Sequence, residues 1–335
     1  MAGPVWRGRR IRLPLSAVAA VVLVGLLAAT VAGVWWARRG GGELRVGSSR
    51  QAAAPSASAT ATAEASPDVT PSPSASPTAT SAATAPPAGG APAGGAAVAG
   101  GPSHFATVAP GSSLPSSGQC AGWVRAQPFP ENKRVNGPFN QSTGHGLAAD
   151  FFTGDDARAA SQVSPRVDGA FTGTTRQILR WAACKWGIDE DIVYAQAAKE
   201  SWWRQTTQGD FGADPAACPP GHGLGADGQA GQCPQSYGIL QNRYPYERSS
   251  WPGISRSTAM NADTAYAIWR VCFDGYEQWL NTVDRGRQYA AGDAWGCVGR
   301  WFAGRWHTGP ADQYAGAVQG YLNQRIWEQG NFQEP

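Results

Sequence analysis

Apolar and polar positions fall into three regimes along this chain. From Leu13 to Trp36 no residue is charged, and Ala, Val and Leu dominate. At about 1.5 Å per residue, a helical run of that length crosses a hydrocarbon core of roughly 30 Å. Residues 51–118 then lose nearly all bulky apolar side chains and repeat Ala, Pro, Ser and Thr ("TPSPSASPTATSAATAPPAGGAPAGGAA"), with Glu64 and Asp68 as their charges. Burial of so little apolar surface does not offset chain entropy, so a disordered linker is predicted. After Gly173 a helical period sets in. "TTRQILRWAACKWG" puts Ile178, Trp181, Ala182 and Trp186 on one face, and Gly187 stops the helix. Asp189 is placed to cap the next helix, "EDIVYAQAAKES", with Glu190 and Asp191 favourably set in its first turn. Before these, Gly137, Pro138, Asn140 and Gly144 break any period, and no long helix is predicted there.

The expected organisation is therefore a basic cytoplasmic segment (1–12), a transmembrane signal-anchor (13–36) and a disordered linker (37–118). A loop-rich N-terminal extension (119–172) and a mainly helical domain (173–335) follow. Arg7, Arg9, Arg10 and Arg12 precede the apolar run and Arg38 and Arg39 follow it, which favours an orientation with the N-terminus inside. Trp35 and Trp36 suit the far membrane interface. A cleaved signal peptide would need a shorter apolar region and a small-x-small site, and Ala29–Gly33 offers a poor one. The uncleaved anchor is the expectation; in either case the helical domain is exported.

Charged residues make up 15% of the chain, against roughly 25% in soluble domains, and the shortfall lies in the linker. Residues 1–118 carry eight Arg against three acids, whereas 119–335 carry 19 basic and 21 acidic residues. A near-neutral domain lacks the basic face that a nucleic-acid partner would require. All six Cys (Cys120, Cys184, Cys218, Cys233, Cys272 and Cys297) lie in the exported part, and an even count there reads as three disulfides. Many connectivities are open to six cysteines. Cys218–Cys233 would close a short Gly-rich loop and Cys272–Cys297 would tie two predicted helices, leaving Cys120–Cys184 to fasten the extension. With no C-x-x-C pair and His104, His145, His222 and His307 scattered, no metal or other cofactor is expected. Twelve of the 15 Trp fall between Trp123 and Trp327. Most are expected in the core and a few along a groove where an aromatic face could stack on a sugar ring.

Candidate chemistry begins at the end of the second predicted helix. Val193, Ala197 and Glu200 are spaced i, i+4, i+7, so Glu200 continues an apolar stripe. A carboxyl there, followed by Trp202 and Trp203, should lose hydration and titrate high. Protonated near neutral pH, it can donate a proton to a leaving oxygen. The bland alternative is a Glu exposed at a fraying helix end.

Downstream stands "QSYGILQ", with Ser236, Tyr237, Gly238 and Gln241, followed by the aromatic "RYPY". An Ala-rich helix ending in Glu200-Ser201, then Gly238-Ile239-Leu240-Gln241, resembles the soluble lytic transglycosylase family of the lysozyme-like superfamily, which includes goose-type lysozymes. The resemblance spans roughly residues 173–330 and takes in "STAMNADTAYAIW" and "AGDAWGCVGRWFAGRW". It implies a mainly α, lysozyme-like domain outside the membrane, facing the cell wall, with peptidoglycan glycan strands as partner. It implies that Glu200 is the single catalytic acid, which protonates the oxygen between N-acetylmuramic acid and N-acetylglucosamine. Glu200 then serves as base on the sugar's own 6-hydroxyl, leaving a 1,6-anhydro end. Gln241 and the Gly238 backbone match groups near the substrate, with Ser236 and Tyr237 as weaker carry-overs. Trp202, Tyr244, Trp301 and Tyr314 complete the candidate substrate contacts.

Three features depart from that family. Glu200 and Gln241 are separated by an inserted Gly/Pro-rich segment within 207–235. Where the family carries Ala-Tyr-Asn-Ala-Gly with a Tyr near the acid, this chain has Arg300-Trp301-Phe302-Ala303-Gly304, and Tyr314 or Tyr321 would have to substitute. Residues 119–172 have no counterpart. The alternatives are a hydrolytic muramidase, with Asp210, Asp214 or Asp227 as second carboxylate, a chitin-directed enzyme, or a non-catalytic wall-binding module.

Overall fold

In the computed structural model, residues 101–334 are described; the membrane anchor and most of the linker expected from the sequence lie outside them. No helix among the described residues is long and apolar enough to cross a membrane.

The helical period after Gly173 produces the centre of a mainly helical domain. Thr174 caps helix α2 (Thr175–Trp186), its side chain accepting from the Gln177 amide while Gln177 bonds back, and Gly187 ends the helix at φ 60°. Asp189 then accepts from the Asp191 amide and starts α3 (Glu190–Ser201). The remaining long helices are α1 (Ser117–Arg125), α4 (Thr258–Phe273), α5 (Ala294–Ala303) and α6 (Gly309–Gln324). α2 packs against α1, α3 and α4, while α6 packs against both α3 and α5. Single helical turns at Gly137–Asn140 and Gly253–Arg256 and short 3₁₀ segments link them. A small antiparallel sheet, β1 (Gln208–Gly209), β2 (Ser236–Tyr237) and β3 (Asn242–Arg243), pairs Gly209 with Ser236 and Ser236 with Arg243.

The apolar face expected of α2 understates its burial, because Arg180 and Lys185 are buried as well. Each is paired, as an ion in the interior must be. Arg180 bonds Glu190 at 2.9 Å. Lys185 bonds Asp263 of α4 at 2.7 Å and Asp168 at 2.9 Å. Asp263 further accepts from the Trp186 indole and from the Asp168 and Gly169 amides, so one carboxylate joins α2, α4 and the extension.

The six cysteines pair as Cys120–Cys184 between α1 and α2, Cys272–Cys297 between α4 and α5, and Cys218–Cys233 across the inserted loop. The expected end of the linker at residue 118 is corrected: residues 101–116 lie on the domain. Phe105 is buried, its carbonyl accepts from the Glu190 amide, and Val108 N donates to Gly187 O. The Ala109 carbonyl accepts from Arg270, and the Gly111 amide donates to Asp274. Averaged composition concealed this strap, in which buried Phe105 and partly buried Leu114 join the core while backbone groups bond to α2, α3 and α4.

Candidate active site

α3 ends where a run of unusual backbone begins. Trp202 and Trp203 both take left-handed conformations, at φ 58° and 61°. Such conformations cost bulky residues about 1–3 kcal/mol each and are held only where packing insists on them. Packing does so here. The Trp203 indole, fully buried, donates to Tyr194 O, and Trp202 packs against Phe332 with its ring tilted. The reversal leaves Glu200, partly buried on the last turn, at the wall of a cleft of about 280 Å³.

The opposite wall is the sheet. Ser201 Oγ donates to the Ile239 carbonyl at 2.9 Å, tying the end of α3 to the β2–β3 turn. Asn261 accepts from the Leu240 amide and donates to the Tyr237 carbonyl, and Gln205 accepts from the Ile239 amide. Gly238 sits at φ 82°, and a Cβ there would fall 2.3 Å from Asn261 Nδ2, so the clamp admits no side chain at that position. The turn thereby aims Gln241, Ser236 and Arg243 into the cleft beside Glu200. Gln241, itself at φ 54°, donates to the Gly238 and Thr207 carbonyls.

Burial drives the Glu200 carboxyl up to about 7 and outweighs the opposing pull of hydrogen bonds from Tyr314 and Trp301 and of the Lys199 charge. The negative charge of Asp210 adds to the upward push. Tyr314 reaches Glu200 from α6, its hydroxyl donating to Oε1, with Phe302 stacked on its ring at 4.9 Å. A carboxyl of this kind carries its proton into the neutral range and can surrender it to a bound oxygen.

Of the aromatic residues expected at the site, Trp301 and Tyr314 line the cleft, and Tyr314 rather than Tyr321 reaches Glu200. Four other expected contacts are corrected. Tyr237 is buried, donates to Pro234 O and packs on Trp251 and His222. Tyr244 is buried against Trp251, and Trp202 lies against Phe332 and Tyr321. Gly238 shapes the turn without lining the cleft. Residue type alone cannot tell a core aromatic from a cleft aromatic, since both bury a large ring.

Among the three acids weighed as a second carboxylate, Asp214 caps a 3₁₀ turn and Asp227 pairs with His222. Asp210 alone of the three lines the cleft. Its side chain is 43% exposed, accepts from Ser236 Oγ at 2.5 Å and lies 3.8 Å from Arg243 Nε. Sequence reasoning had no signal for Arg243 or for the clamp residues Gln205 and Asn261. Compared with protein-family models, curated proteins and solved structures, the chain shows no match.

Proposed function

We propose that this domain cleaves the glycan strands of peptidoglycan as a lytic transglycosylase on a lysozyme-like fold. The observation that carries the reading is Glu200, a carboxyl raised to about 7 at the wall of an open cleft and held by Tyr314 and Trp301. Protonated Glu200 gives its proton to the bridging oxygen as the bond from C1 of N-acetylmuramic acid to that oxygen breaks. The carboxylate so formed takes the proton of the 6-hydroxyl as that oxygen closes on C1. Glu200 ends protonated, no water is consumed, and a 1,6-anhydro end results. Ser236 and Gln241, which line the same cleft, serve in this reading as sugar contacts, and Tyr314, bonded to Glu200, orients the carboxyl. Three disulfides suit an oxidising, extracytoplasmic compartment, in keeping with a membrane-anchored domain that works on the wall.

Asp210 favours a second reading. A hydrolase that inverts needs a second carboxylate roughly 6.5–9.5 Å from the acid to activate water, and Asp210 shares the cleft with Glu200. Mass spectrometry of purified peptidoglycan digested with the oxidised full-length chain separates the two. Anhydro-muramic ends are expected; reducing muramic ends would transfer the reaction to hydrolysis with Asp210 as base. Bound but uncut glycan would leave a wall-binding module and overturn both.

A further inference from the structure

Gln196 stands one turn before Glu200 on α3, so the two side chains share a face of that helix. Gln196 is buried and, unlike Glu200, does not line the cleft. Its Nε2 donates to the hydroxyl oxygen of Tyr314, and the Tyr314 hydroxyl in turn donates to Glu200 Oε1. The amide's own oxygen has no hydrogen-bond partner among the described residues. Burying an amide with its carbonyl unmatched is costly, and Met would fill nearly the same space without that cost. Shape alone therefore gives no reason for an amide at this position.

The neighbouring groups do not duplicate this bond. Tyr266 of α4, also buried near Glu200, spends its hydroxyl on Val193 O at 3.2 Å. Phe302 stacks on the Tyr314 ring and fixes its plane, but not the direction in which the O–H turns. A phenol carries one proton. A donor placed on its oxygen turns that proton toward the remaining acceptor and strengthens the bond it makes there. With Tyr314 donating to Oε1, the acidic proton of Glu200 is left to Oε2. We propose that Gln196 is a positioning residue: by donating to Tyr314 it commits the phenolic proton to Glu200 Oε1 and so keeps the proton to be transferred on the carboxyl's other oxygen. Its part in turnover rests on the glycan-cleaving reading above; its effect on the titration of Glu200 does not.

Gln196→Met removes the donor at nearly constant volume. Carbon-13 NMR of the Glu carboxyls in the full-length chain follows the titration directly, with the Glu200 signal identified by its loss in Glu200→Gln. Lys199 on α3, Asp210, Arg243 and Glu247 in the cleft wall, Tyr266 on α4 and Tyr314 on α6 are the charged and titratable groups around that carboxyl, and the substitution leaves all of them in place. A weakened bond to the carboxylate should raise the Glu200 midpoint by roughly 0.4 of a pH unit. The alkaline limb of cleavage should move up with it at unaltered KM. In a Tyr314→Phe background the same substitution should move neither, because its effect passes through the hydroxyl. A residue that only fills space gives a different result. Met then leaves the midpoint where it was, or opens a void to water and moves it down, and either outcome overturns the proposal. An equal rise in the Tyr314→Phe background overturns it as well. Gln196→Asn, which withdraws the amide by one methylene, repeats the test if the Met variant does not fold. A raised midpoint in a protein that cuts no glycan would sink the proposed reaction and leave the positioning bond standing. An unmoved midpoint in one that does cut would do the reverse.

Discussion

Asp263 and Glu200 are both acids set into the helical core, and their surroundings differ in kind. Asp263 meets an ammonium at 2.7 Å, an indole N–H and two backbone amides. Glu200 meets a phenol and an indole, with the Lys199 charge nearby. Burial pushes both carboxyls upward, but Asp263 is enclosed by donors on every side whereas Glu200 opens onto a cleft. The first arrangement uses charge to join three segments of chain. The second leaves a proton where a ligand can reach it. A buried acid is thus read by what surrounds it and by whether a ligand has access to it.

The sharpest way to break this contrast is Glu200→Gln. The near-isosteric amide still accepts from Tyr314 but cannot give up a proton, so glycan cleavage should fall on the order of 10³-fold. Release of soluble muropeptides measures it, and cleavage at the unaltered rate would remove Glu200 from the chemistry. At the other acid, Lys185→Met should destabilise the fold by about 3–5 kcal/mol in chemical denaturation, because it strands a buried carboxylate. The pH profile of whatever activity remains should not move.

Glu200 also makes a statement about stability. Unfolded, it titrates near 4.5; folded, near 7. Below the lower value both states hold the proton and the residue costs nothing. As pH rises through that window the folded state resists ionisation, and stability is lost. Glu200→Gln should therefore gain about 3 kcal/mol at about pH 8 and nothing at about pH 4, read by thermal melts at both. Activity should decline later, at about pH 7, where the folded acid form itself disappears. The smallest effect is expected from Tyr314→Phe. Loss of a hydrogen bond that favours the carboxylate lets the Glu200 pKa rise further, so the alkaline limb should move to higher pH while kcat falls about tenfold. An unmoved limb would show that Tyr314 only packs.

What was legible in the sequence was local. The cap at Asp189, the stop at Gly187 and the place of Glu200 on the inner side of α3 all rest on residues within a few positions of one another. Cys218–Cys233 was legible for the same reason, as a short closed loop. What stayed hidden depended on distant chain. Tyr314 comes to Glu200 across 114 positions, and nothing near it distinguishes it from Tyr321. Asp210 enters the cleft because β1 pairs with β2, whereas Asp214, four residues on, is spent on a cap. The fates of Tyr237 and Tyr244 turn on Trp251, whose position no short-range pattern reports.

The docked strap has a mechanical consequence. Phe105 and Thr107 are bonded to the first turn of α3, and residues 108–111 to the ends of α2 and α4. Tension arriving through the preceding chain is thus borne by the starting end of the very helix that carries Glu200 on its final turn, about 15 Å away along the axis. A rigid rod of that length passes force into the core rather than bending, so the cleft keeps its shape while the domain is pulled.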